Sequence, residues 1–190
     1  PGLAFFYGGL VKKRHVLSIM MQSIAAIGIV TILWVLIGYS LAFGPDIGSF
    51  IGDLSHFGLK GVTLDPKDNG ATIPHMLFMI YQLMFAIITP AIMTGSTAER
   101  LRFPAYLLLV SLWSLLVYAP LAHWVWGGGW LSQLGFLDFA GGAVVHISSG
   151  FSGLIAALVI GSRYNKKVEK TIPHNLPYVI LGGGLLWFGW

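Results

Sequence analysis

His146 is the side chain of this sequence with the widest chemical scope. It sits in an apolar run that opens after Asp138 and continues to Ser162 without a charged residue. A buried polar group left unpaired costs about 2 kcal/mol or more, so the imidazole needs a partner there. An ionisable group inside a hydrocarbon-length segment marks a substrate pathway, a relay, or a pairing between helices. An uncharged imidazole both donates and accepts a hydrogen bond. That suits it to handling a small polar molecule or passing a proton. Two readings stand at this point: a pore or relay residue, and a histidine paired across helices to hold a bundle together.

Asp138, just ahead of that run, also carries two readings. As a cap it accepts from the free N–H groups of the first helical turn. As a fixed anion near an outer vestibule it raises the local concentration of cations. The aromatic residues are the third signal. Tyr81 and Phe85 are one helical turn apart and share a face. Trp124, Trp126 and Trp130 cluster in a glycine-rich stretch. Most aromatics here belong to interfacial belts and core packing, but tryptophan is also the best face for an ammonium-type cation. The glycine runs Gly127–Gly129 and Gly182–Gly184 lack the strand–loop–helix setting of a phosphate loop. No nucleophile–base pair, metal cluster or carboxylate pair can be assembled, so no catalytic residue, cofactor or metal is assigned and an enzyme is not expected. His15, His56, His75 and His174 read as loop or span-end residues with surface roles, and His123 as a residue of the membrane–water boundary.

The elements that must position these groups are long apolar helices. The chain has 190 residues, 56% hydrophobic and 9% charged, against about 25% charged in a soluble domain. Its mean hydropathy is +0.78. The lipid bilayer is the partner this composition implies. A sequence pI near 9.4 raises nucleic acid as a partner, but the basic residues are few and lie in short loops, which argues against it. With no cysteine, disulfide and thiolate chemistry are excluded. A helix crosses a bilayer in about 20 residues. Spans are therefore expected at approximately 16–43, 75–98, 103–123, 141–162 and 177–190, within a single transmembrane domain. Both ends read as cut: residues 1–10 as the last half of a helix, and the run to Trp190 as an unfinished span. The loops carrying Lys12, Lys13, Arg14, Arg100, Arg102, Arg163, Lys166, Lys167 and Lys170 alternate with loops holding only Lys60 and Lys67. That asymmetry places the basic loops inside, and His146 in the outer half of its span. Small-residue pairs at helical spacing (Ser149 with Gly153, Ser152 with Ala156, Ala157 with Gly161) favour close helix packing.

Several multi-residue motifs, in order along the whole chain, resemble the ammonium transporter (Amt/Mep/Rh) family. They are Pro1-Gly2-Leu3-Ala4-Phe5-Phe6-Tyr7-Gly8-Gly9-Leu10, Ala98-Glu99-Arg100, Ala122-His123-Trp124-Val125-Trp126-Gly127-Gly128-Gly129, Asp138-Phe139-Ala140-Gly141-Gly142 and Pro173-His174-Asn175-Leu176-Pro177. The Trp126 and Asp138 motifs are closer to the Amt/Mep branch. The resemblance implies an all-α polytopic membrane helix bundle, the N-terminal part of an eleven-helix transporter with inverted repeats, a design that places sites near the midplane. It implies a homotrimer in the cell membrane that takes up ammonium. Trp126 would line the outer recruitment site, with Tyr81 in its wall, where phenylalanine is common in the family. Phe85 would be the outer gate, His146 the first of two pore histidines, Trp190 a pore-wall residue, and Asp138 the acid that the outer site needs. The second gate phenylalanine, a recruitment-site serine and the second pore histidine are expected beyond Trp190. A PII-type regulator docking on the basic inner face, Arg163–Lys170 included, follows from the family alone. An ammonium-sensing receptor module joined to a signalling domain is the alternative function.

Overall fold

The computed structural model describes residues 1–66, 72–162 and 172–190. Lys67 and Asp68, and the inner-loop residues Arg163, Lys166, Lys167 and Lys170, lie outside the described residues. The chain is a bundle of apolar helices. A short helix α1 (Gly2–Leu10) turns at Val11–Lys12 into α2 (Lys13–Phe43). A small antiparallel pair follows, β1 (Asp46–Ile47) with β2 (Ile51–Gly52). Then come α3 (His75–Thr97), α4 (103–126), the one-turn α5 (Trp130–Gln133), α6 (Gly142–Ile160) and α7 (Leu176–Gly189). Four helical stretches are long and apolar enough to cross a membrane: α2, α3, α4 with α5, and α6. α4 runs past His123 to Trp126, because nothing in Trp124-Val125-Trp126 breaks it before the glycines.

Three of these helices contain a π turn: Trp34–Gly38 in α2, Ser114–Tyr118 in α4 and Gly142–Ile147 in α6. Each adds a residue to one turn and offsets the face that follows. The first two meet in the core, where Trp34 and Tyr118 lie 6.0 Å apart between ring centroids. Around them pack Tyr39, Phe43, Leu83, Val110, Trp113 and Val144, one continuous buried cluster from four helices. Pro90 sits inside α3. Lacking an N–H, it weakens the ladder there, and the regular helix ends at Ile92 and resumes at Thr94.

α1 and α7 approach each other closely. A Cβ on Gly182 would lie 2.3 Å from the Phe6 nitrogen, and one on Gly9 would lie 2.5 Å from the Asn175 oxygen. Only glycine lets the two backbones come this near. Of the small-residue pairs on α6, Gly153 faces Ser96 of α3, with its Cβ position 3.3 Å from the Ser96 Oγ, and Ser152 accepts a hydrogen bond from Trp113 Nε1 at 2.9 Å. On the face carrying the basic turns, Glu99 accepts from the Lys12 backbone N–H at 3.0 Å. Arg100 donates to the carbonyls of Ser96 and Gly161, so one guanidinium holds the ends of α3 and α6 together.

Candidate functional site

Asp138 organises the N-terminal end of α6. Its Oδ1 accepts from the backbone N–H groups of Gly141 and Gly142 at 2.8 and 2.7 Å. Its Oδ2 accepts from Ala143 and Val144 at 2.8 and 3.0 Å. Both oxygens thus meet the donors that every helix start leaves unsatisfied, and the negative charge complements the positive end of the helix. Of the two sequence readings for Asp138, the cap is what the geometry displays. The chain enters α6 through Gly141 at φ +86°, a left-handed conformation that glycine adopts without penalty. The Gly141 carbonyl accepts from both Val145 and His146 at 2.9 Å. That shared acceptor starts the π turn on which His146 stands.

Asp138 also fixes an aromatic. Its carbonyl oxygen accepts the Trp126 indole N–H at 2.7 Å. Trp126 then lies 5.6 Å from Phe85, the rings inclined by 50°. Phe85 is half-buried on α3, where its carbonyl accepts from Thr89 Oγ1 at 2.6 Å. Tyr81, one turn nearer the N-terminal end of α3, is 63% exposed. His146 is exposed in this chain, and its ring lies 5.0 Å from that of Trp190, which is 62% exposed. The structure therefore brings Trp126 to Phe85 and His146 to Trp190, and one residue, Asp138, supports both groups. Tyr81 stands on the same face of α3 as Phe85 without a ring contact to Trp126. The described residues contain no cluster of three or more side chains suited to a metal ion.

Two histidines assigned to bland positions from sequence are buried instead. His123 is fully buried. Its Nδ1 lies 3.0 Å from the Ala42 carbonyl and its Nε2 lies 2.8 Å from Asp46 Oδ1. A carbonyl cannot donate, so Nδ1–H is the donor there, while Nε2 lies within hydrogen-bond distance of the carboxylate. The hydrogen bond from His123 is the main cause that holds the Asp46 carboxyl below its usual range. This contact pins the β1–β2 hairpin to α4 beneath the tryptophan cluster, where Trp124 donates to the Phe50 carbonyl at 2.7 Å. His75 is also buried, with its Nε2 2.7 Å from the Tyr39 hydroxyl and its ring 5.3 Å from that of His56. The only signal of these pairings in the sequence was the histidines themselves, since Tyr39 is 36 residues from His75 and Asp46 is 77 residues from His123.

A bundle of membrane-length helices that brings Trp126 to Phe85 and His146 to Trp190 defines a multi-pass membrane protein. The model of the Ammonium Transporter Family matches residues 1–190, the whole chain, and the chain belongs to that family. An ammonium transporter of Bacillus subtilis (strain 168) is 60% identical over 190 residues, covering 100% of this chain and 46% of its own length. Ammonium transporter Amt1 of Archaeoglobus fulgidus is 46% identical over 190 residues, with the same two coverages of 100% and 46%. The crystal structure of Candida albicans Mep2 superimposes with a TM-score of 0.89 at 40% identity, covering 100% of this chain and 43% of that one. A structure described as a Sensor Amt Protein gives 0.89 at 30% identity, covering 100% and 48%. The chain thus spans less than half the length of the relatives it matches.

Proposed function

We propose that the complete protein moves ammonium across the membrane rather than carrying out enzymatic chemistry. The carrying observation is the shared support by Asp138: its carbonyl orients Trp126 against Phe85, and its carboxylate holds the start of the helix that bears His146. In this reading ammonium is drawn to Trp126, Phe85 and Tyr81 at the outer end. Each cation–π contact contributes about 1–2 kcal/mol once water is removed, and the Tyr81 hydroxyl adds an acceptor for an ammonium N–H. Potassium has no N–H to donate, so hydrogen bonding and proton loss discriminate where diameter does not. Phe85 acts as the outer gate. The cation releases its proton at or before that gate, because an ion in a narrow apolar passage is costly. Ammonia then passes His146, whose imidazole can accept its N–H or donate to its lone pair, alongside the wall formed by Trp190. A second histidine and a second gate phenylalanine are assigned to the half of the protein that follows Trp190, and the working unit to a homotrimer in the cell membrane. Docking of a PII-type protein on the inner face belongs to the same reading.

The likeness to a Sensor Amt Protein favours a second reading, in which ammonium binding biases an attached signalling domain. An ammonium pulse applied to proteoliposomes of the full-length protein separates the two. Transport gives a current or a change of internal pH that saturates with ammonium. Saturable ammonium binding with neither would overturn transport in favour of sensing.

A further inference from the structure

At the end of the bundle opposite the aromatic site, the starts of α2 and α4 open onto one cavity of about 230 Å³. Its walls include His15, Ser18, Gln22, Glu99, Arg100 and Arg102. Neither helix has a side-chain cap, and neither has an acid in its first turn. Two uncapped helix starts with arginines beside them make a positive pocket. Two buried polar atoms in the same walls are orphaned. Gln22 is only 3% exposed, yet its Oε1 has no hydrogen-bond partner. Arg100 spends its two terminal nitrogens on the Ser96 and Gly161 carbonyls and leaves Nε–H without a partner. Glu99, the one acid of the wall, is turned to the Lys12 backbone N–H.

We propose that this cavity binds a small oxyanion of the phosphate class, either free phosphate or the phosphate of a lipid headgroup. The donor set fits that chemistry. The Arg102 guanidinium and the Ser18 hydroxyl both line the cavity and supply donors to several oxygens at once. A free monoprotonated phosphate also carries one P–OH, which can donate to Gln22 Oε1; a phosphodiester has no such proton, and in phosphatidylglycerol a glycerol hydroxyl of the headgroup takes that place. A metal cation is excluded by the two guanidinium groups. The cavity lies where the basic loops place the inner headgroup layer, so a membrane phosphate reaches it as readily as a free one. This site is independent of what the aromatic end carries.

The test compares the full-length wild-type protein with Arg102→Gln and with Ser18→Leu, which removes a donor and narrows the cavity. Both positions are exposed, so neither change disturbs the core. Inorganic phosphate is titrated calorimetrically into each protein in detergent at constant ionic strength. Retained phosphatidylglycerol is counted by native mass spectrometry after incubation with that lipid and, separately, with phosphatidylcholine. Saturable phosphate binding that weakens about tenfold in Arg102→Gln supports a free oxyanion, in line with the loss of one charge-assisted hydrogen bond. Selective retention of phosphatidylglycerol that both variants lose, without phosphate binding, supports the headgroup. If neither probe distinguishes wild type from either variant, the proposal is wrong.

Discussion

At the residue scale, Asp138 is the side chain on which the proposed outer site depends. Asparagine tests this sharply, because it keeps the shape and one acceptor but turns the other oxygen into an NH2 group facing N–H donors. Either orientation of the amide leaves two of the four backbone donors opposed by another donor. Asp138→Asn is expected to lower stability by about 1–2 kcal/mol, the range of a lost helix cap. It should also raise the ammonium concentration needed for half-maximal flux, since Trp126 is hung on the same residue. Thermal unfolding and uptake assays of the reconstituted protein check the two effects, and an unchanged melting temperature would count against the cap. Asp138 was legible as a possible cap from its place ahead of an apolar run. The indole of Trp126 on its carbonyl was not, because no local pattern encodes a bond between a loop and the preceding helix. His123 shows the same limit. Its sequence neighbours are aromatic and small, and only the fold brings Asp46 to its Nε2.

At the scale of elements, run length and charge placement were enough to locate helices, since a bilayer sets their span and loops collect the ionic residues. The π turns had no signature, because no residue type dictates an extra residue in a turn. Nor did the α1–α7 contact, where glycine matters for what lies across from it and not for its own conformation. The small pairs read from α6 serve packing there, with Gly153 against Ser96, but carried no signal of the α1–α7 contact. Gly182→Val places a branched side chain where even a Cβ would fall 2.3 Å from the Phe6 nitrogen. Overpacking of this kind costs about 1–3 kcal/mol or more when backbone must move. The expected outcome is loss of folded protein on size-exclusion chromatography and a lower melting temperature, while Gly183→Ala, with open space around its Cβ position, leaves both unchanged.

At the scale of the whole molecule, the exposed apolar surface follows from what surrounds the chain. Leu17, Ile24, Ile32 and Leu116 face outward from α2 and α4, as side chains do where lipid is the solvent. His146, Phe151, Trp187 and Trp190 are also exposed, and the first of them is the imidazole on which the transport reading turns. The account stands or falls on whether that imidazole lies in the path. The most direct measurement is the current and internal pH change evoked by ammonium, and then by potassium, in proteoliposomes holding equal densities of full-length wild type and His146→Ala. The account predicts that the variant loses the ammonium signal or ceases to discriminate ammonium from potassium. Wild-type rate and selectivity in His146→Ala would contradict it.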